Sequence, residues 1–266
     1  YLTITLLVSA VALADQPIAN TTLCFLVAEV SMLLLGIGYL WRRKLVSDLA
    51  FSLDWARRHF VFGSKGLIAG LFVEINSRVD VLLIGFFMNE QQVGVYSFAA
   101  MLVDGLYQIL AMVRINFNPL LVVAVRDRQW VQMRHLRALS KKFVIPVMLT
   151  MAVVLALAYY AMAVWVAPQK GLLPGLWPLL ILMAGLLPVS FLIPFDNLMM
   201  VSGHPSLQTV QQLSSVSVNV LVAVLLLPVL GINGAAIGTA VSYVTGILVL
   251  LYFADSKLGW KLLSSK

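Results

Sequence analysis

By composition and patterning the chain is expected to be an all-α membrane protein, a polytopic helical bundle of about eight spans. Two observations carry this. Of 266 residues 61% are hydrophobic and 11% charged, with a mean hydropathy of +0.97, whereas a soluble domain has about 45–50% apolar and about 25% charged residues. The apolar residues also fall into eight runs, most of them long enough for the roughly 20 residues that cross a hydrocarbon core about 30 Å thick. Soluble enzymes, disordered tails and disulfide-rich secreted domains are thereby disfavoured.

The runs cover residues 1–14, 18–41, 60–88, 93–124, 143–167, 174–201, 208–230 and 234–254. The first is too short to cross alone and opens on Tyr1 without a basic leader, as expected of an internal fragment. Between the second and third lie Arg42, Arg43, Lys44, Arg57 and Arg58, and between the fourth and fifth lie Arg126, Arg128, Arg134, Arg137, Lys141 and Lys142. The tail adds Lys257, Lys261 and Lys266, while the opposite loops hold only Lys170. The positive-inside rule makes the basic side and the C-terminus cytoplasmic, so the net charge of +7 reports topology more than a ligand.

Trp41, Trp165 and Trp177 fall at expected span ends, and Trp55, Trp130 and Trp260 in the basic segments, as interfacial rings should. Residues 47–59, with Ser47 as N-cap and an Asp54/Arg58 pair, read as a short interfacial helix, and the stretch from Trp130 to Lys142 as a similar one. Both are expected to anchor topology against anionic headgroups.

Chemistry is sought among the embedded charges, each costing about 2.5–3.5 kcal/mol at a span centre on insertion scales. The third run carries Lys65, Glu74, Arg78 and Asp80. On one continuous helix Glu74 and Arg78 share a face, and Lys65, Asn76 and Asp80 the nearly opposite one. Either Glu74 and Arg78 are a compensated structural pair, or one cluster contacts a substrate or coupling ion. Glu29, Asp104, Arg114 and Asp196 complete the embedded set, three cations against five carboxylates. An isolated carboxylate at such depth suits a proton or sodium site, or is simply protonated and structural. Arg114 suits either snorkelling or ligand binding.

Gln208, Gln211, Gln212, Ser215 and Asn219 make a neutral polar stripe on the seventh run, fit for bonding neighbouring helices or for lining a path for a polyhydroxylated ligand. Gly234, Gly238, Ser242 and Gly246 form a small-residue packing ridge on the eighth. Pro178, Pro188 and Pro194 should bend or break the sixth. Cys24 reads as a buried thiol, and His59, His135 and His204 suggest no metal cluster. Nucleotide-loop, zinc-protease and nucleophile-elbow motifs are absent, so no catalysis, cofactor, metal or nucleic-acid partner is expected.

The stretch from Asn76 to Ala100 contains Asp80-Val-Leu-Leu-Ile-Gly85 and Val93-Gly-Val-Tyr96-Ser-Phe-Ala99. It resembles the "D-x-x-hydrophobic-hydrophobic-G … V-G-x-Y-x-x-A" passage of polysaccharide-export flippases, within the multidrug/oligosaccharidyl-lipid/polysaccharide exporter superfamily. Pro228-Val-Leu-Gly231-Ile-Asn-Gly234-Ala-Ala-Ile-Gly-Thr239-Ala-Val-Ser242 is similar to the passage that opens the family's twelfth span, and Asn219 fits the same block. The resemblance implies two six-helix lobes around a central cavity. Residues 1–41 would hold the last two helices of an incomplete N-lobe and residues 42–59 a basic inter-lobe linker. Residues 60–254 would form the six-helix C-lobe, and 255–266 a cytoplasmic tail.

Implied too is translocation of undecaprenyl-diphosphate-linked oligosaccharide across a bacterial inner membrane by alternating access, for surface polysaccharide such as the O-antigen of lipopolysaccharide. An H+ or Na+ gradient would drive it without ATP hydrolysis, beside the polysaccharide polymerase machinery. Under this resemblance Lys65, Arg78 and, more weakly, Arg114 are the diphosphate or glycan contacts, because cations are what a diphosphate needs; Gln212 and Asn219 are further substrate contacts. Asp80, Glu74, Asp104 and Glu29 are the coupling candidates. The embedded balance of three cations against five carboxylates departs from the cationic cavity expected of such a flippase. A cation-coupled multidrug exporter and a non-transporting component of a polysaccharide-synthesis complex are the alternatives.

Overall fold

A computed structural model describes residues 19–44 and 52–260. It divides into two compact units, Tyr1–Arg58 and His59–Lys266. In the first unit lies helix α1 (Ala19–Arg42), of which Phe25–Arg42 is long and apolar enough to cross a membrane. Glu29 is exposed on it. The first apolar run, Ser47 and the side chain of Cys24 lie outside the described residues.

Helix α2 (Leu53–Asn76) starts in the first unit, where the Ser52 hydroxyl receives the Trp55 N–H at 3.5 Å, and runs on into the second. The described part of the expected interfacial helix is therefore the opening of a longer one. The third apolar run is not one span. Helix α2 ends at Asn76, Ser77 and Arg78 form a turn, and α3 (Val79–Phe87) starts afresh. Ser77 Oγ donates to the Glu74 carbonyl at 2.8 Å, the kind of local side-chain bond that competes with a helix ladder.

Helix α4 (Glu90–Arg126) is capped by Asn89, whose side chain accepts the Gln92 N–H at 2.9 Å. Its 37 residues extend about 55 Å at 1.5 Å each, well beyond the hydrocarbon thickness. It turns at Asp127–Gln129 into α5 (Trp130–Ala161), which absorbs the Trp130 to Lys142 stretch instead of leaving it as a separate interfacial helix. At the turn Arg126 Nε donates to Asp127 Oδ1 at 2.7 Å and holds that exposed carboxyl below its ordinary value. A π-helical turn, Met162–Val166, ends the span.

The sixth run is broken as its prolines predict. Helix α6 (Leu176–Val189) stops just after Pro188, a tight turn at Ile193–Phe195 contains Pro194, and the short α7 (Leu198–Val201) follows, the two arms meeting at 64°. Helices α8 (Pro205–Leu230) and α9 (Ile232–Leu258) form a hairpin through Gly231, whose φ of 60° and ψ of −144° only glycine adopts readily. Among the described residues five helices are long and apolar enough to span, or six counting the bent pair. The chain is a multi-pass α-helical membrane protein.

The ridge on α9 packs as its spacing predicts. A Cβ on Gly234 would lie 2.5 Å from the Leu226 carbonyl carbon, and one on Gly238 2.9 Å from the Asn219 carbonyl oxygen, so only bare backbone permits this approach. On α6, a Cβ on Gly185 would meet Ala240 at 2.5 Å. Trp165 and Trp177 are exposed at span ends, but Trp260 is buried, stacked on Trp130 at 6.4 Å and edge-on to Phe195 at 5.9 Å.

Replacing Gly185 by Ala should force α6 from α9 and destabilise the bundle by about 1–3 kcal/mol, the usual range for overpacking. The thermal midpoint of the detergent-solubilised protein should fall. Gly105→Ala, where an added Cβ meets nothing within 4 Å, should leave it unchanged or raised.

Candidate functional site

A cavity of about 110 Å³ lined by several polar side chains lies within the second unit. Helices α2 and α3 supply Asn76, Ser77 and Asp80, α4 supplies Asp104 and Tyr107, and the bend after α6 supplies Asp196. Opposite them stand Gln211, Gln212 and Ser215 of α8, and Thr239, Ser242 and Tyr243 of α9. Both broken helices therefore meet the cavity at their breaks, where an irregular segment can be tolerated within a membrane.

Asp80 is buried and heavily hydrogen-bonded. Tyr96 Oη donates to its Oδ2 at 2.5 Å, Thr239 Oγ1 to the same oxygen at 3.1 Å, and the Val81 N–H to Oδ1 at 2.8 Å. Thr239 Oγ1 also lies 3.4 Å from Asn219 Oδ1, and Asn219 Nδ2 donates to Asn76 Oδ1 at 3.1 Å. Asp80 is thus not an isolated carboxylate: α2, α3, α4, α8 and α9 are tied through it.

Asp80 and Tyr96 come from one of the two resembling passages, Thr239 and Asn219 from the other, and they converge on this one network. A family profile described as polysaccharide biosynthesis protein matches residues 3–166. The chain belongs to the polysaccharide biosynthesis protein family. The match takes in the Asn76 to Ala100 passage and ends at the π-helical turn, before the second passage. No curated protein and no solved structure matches the chain.

In this polysaccharide biosynthesis protein Asp196 is the second fixed carboxylate. Arg114 Nη1 donates to its Oδ2 at 3.1 Å and Gln211 Nε2 to its Oδ1 at 2.6 Å. Arg114 is therefore turned inward to a partner, neither snorkelling nor lining the cavity. Asp104 differs: it lines the cavity, half-buried, within electrostatic range of Asp80 and Arg78, yet no hydrogen bond reaches it among the described residues. Gln211 spends its amide nitrogen on Asp196, leaving its buried Oε1 an unused acceptor. Such an orphan calls for a donor from water or a ligand. Tyr107 and Tyr243 stack across the lining, centroids 6.2 Å apart and planes 17° apart.

Of the sequence candidates, Asp80, Asp104 and Gln212 line the cavity, and Asn219 is buried just behind it. Glu74 and Arg78 are exposed on either side of the helix break, with no ion pair between them. A shared face requires an unbroken helix, which this is not. The Lys65 side chain is outside the described residues, and Glu29 belongs to the other unit. Nothing in the sequence singles out Tyr107 and Tyr243, whose aromatic rings resemble any other span residue until the fold pairs them. Thr239 stood in the second family-resembling passage, with no role assigned to it.

Removing Arg114 strands the Asp196 charge, which typically costs about 3–5 kcal/mol for a buried pair. Arg114→Met should sharply lower the thermal midpoint in detergent. Arg114→Met with Asp196→Asn should recover most of the loss, measured in the same assay.

Proposed function

We propose that this chain carries lipid-linked, polyprenyl-diphosphate oligosaccharide across the bacterial inner membrane by alternating access, a transport and not a catalytic role. The observation that carries this reading is the cavity of carboxylates, amides and stacked tyrosines inside a membrane bundle of the polysaccharide biosynthesis family. Amides and carboxylates accept and donate to sugar hydroxyls, and the unused Gln211 acceptor and Gln212 fit that purpose. Asp104, with no hydrogen bond to hold it ionised, is the coupling residue, and Asp80 is its fixed neighbour. The second unit acts as the C-lobe and the first as part of the N-lobe, with the basic side and C-terminus cytoplasmic. Arg78, exposed and next in sequence to the cavity residue Ser77, attracts the diphosphate.

One observation favours a second reading. The cavity lining has three carboxylates and no cation, which also suits a cation-coupled exporter of amphipathic drugs. A strain lacking the gene separates them. Loss of surface polysaccharide, with lipid-linked repeat units accumulating on the cytoplasmic leaflet, is expected, and Asp104→Asn in the full-length gene should fail to restore export at normal protein level. Normal polysaccharide with altered drug tolerance would overturn the flippase reading.

A further inference from the structure

A second cavity, of about 260 Å³, lies between α4 and α5, away from the polar one. Its walls include Ile109, Val113 and Phe117 of α4 and Leu139, Phe143 and Val147 of α5. The one polar side chain among the walls is Ser140, and its hydroxyl is spent on the Phe191 carbonyl at 2.7 Å. Nothing polar is offered to an occupant, and both walls are membrane-length helices, so what fits is hydrocarbon from the bilayer.

The charge around this groove is one-sided. Between Asp127 and Asp196 the sequence has no acidic residue, and Asp127 itself is bonded to Arg126. Within the same interval α5 carries Arg134, His135, Lys141 and Lys142, all exposed. Arg134 and Lys141 are seven apart, as are His135 and Lys142, so each pair forms a column along the helix. The outward wall of the groove, Leu139, Phe143 and Val147, repeats every four residues, about 90° round the helix from the His135/Lys142 column and nearly opposite the Arg134/Lys141 column. Lys142 Nζ stands 5.7 Å from the centroid of the Phe143 ring, at the groove's edge.

We propose that this groove binds an anionic phospholipid of the bilayer, one acyl chain between α4 and α5 and the headgroup phosphate against the adjoining His135/Lys142 column. The apolar wall selects the chain, and the acid-free basic start of α5 selects the negative headgroup. Cations spread along a helix edge suit a headgroup in the interfacial layer better than a diphosphate held at one point. The site is independent of the polar cavity, so it stands whether or not the chain moves a glycan.

Native mass spectrometry of the full chain, released from nanodiscs containing equal phosphatidylglycerol and phosphatidylcholine, tests it. Phosphatidylglycerol should stay bound preferentially, and Lys142→Ala should reduce that preference about fivefold, the effect of roughly one surface cation, while Lys141→Ala, on the opposite face of α5, should reduce it less. Val147→Trp, at a half-exposed wall position, should fill the groove and lower retention of the lipid, while Lys257→Ala, an exposed cation elsewhere, should change nothing. Equal retention of the two lipids, or undiminished phosphatidylglycerol in Val147→Trp, overturns the proposal. So does displacement of phosphatidylglycerol by an equimolar polyprenyl diphosphate, which would make the groove a seat for the substrate's tail.

Discussion

A carboxylate taken out of water must be met by donors or neutralised, and in the second unit that requirement is met at Asp80 by several elements at once. Tyr96 comes from α4, Thr239 from α9 and the Val81 N–H from α3. Thr239 then leads to Asn219 on α8, and Asn219 to Asn76 at the end of α2. Lipid gives helices no hydrophobic reason to associate, so packing and bonds of this kind must choose their partners. The bare-backbone contacts of α9 with α8 and α6 bring Thr239 within reach, and the turn at Ser77–Arg78 starts α3 afresh just ahead of Asp80.

The membrane class, the multi-pass helical architecture, the proline break and the glycine ridge were readable because each depends on composition or short-range spacing. The break at Ser77 was not. No proline marks it, and an apolar run on both sides looks continuous until the hydroxyl is seen bonding back to Glu74. That turn undid the inferred faces of Glu74 and Arg78. The site was readable in part: the polar stripe of α8 does turn inward, and Asp80 and Asp104 do line one cavity. Pairings across the bundle, such as Arg114 with Asp196, join residues 82 apart in the chain, and no local pattern encodes them. The two family passages show the difference well, for their spacing hints at kinship while their meeting at Asp80 is visible only in three dimensions.

The carboxylates around the cavity are not equivalent. Asp80 and Asp196 are each held by several donors and so act as fixed parts of the wall. Asp104 has charged neighbours but no donor. A group without bonds to lose is the one whose charge can change with least disturbance to the fold. The cavity thereby sets two carboxylates held by hydrogen bonds beside one that no hydrogen bond reaches among the described residues.

The stack of Trp130 on Trp260, with Phe195 against its edge, has a mechanical consequence. It joins the first residue of α5 to a residue just past the end of α9, and so brackets all the helices between them like a clasp on a loop. Rings of this kind add about 0.5–1.5 kcal/mol per pair beyond the area they bury. Within the second unit α2, α3 and α4 lie outside the clasp, and what holds them to the clasped set is polar instead: the Asp80 network and the Arg114–Asp196 pair.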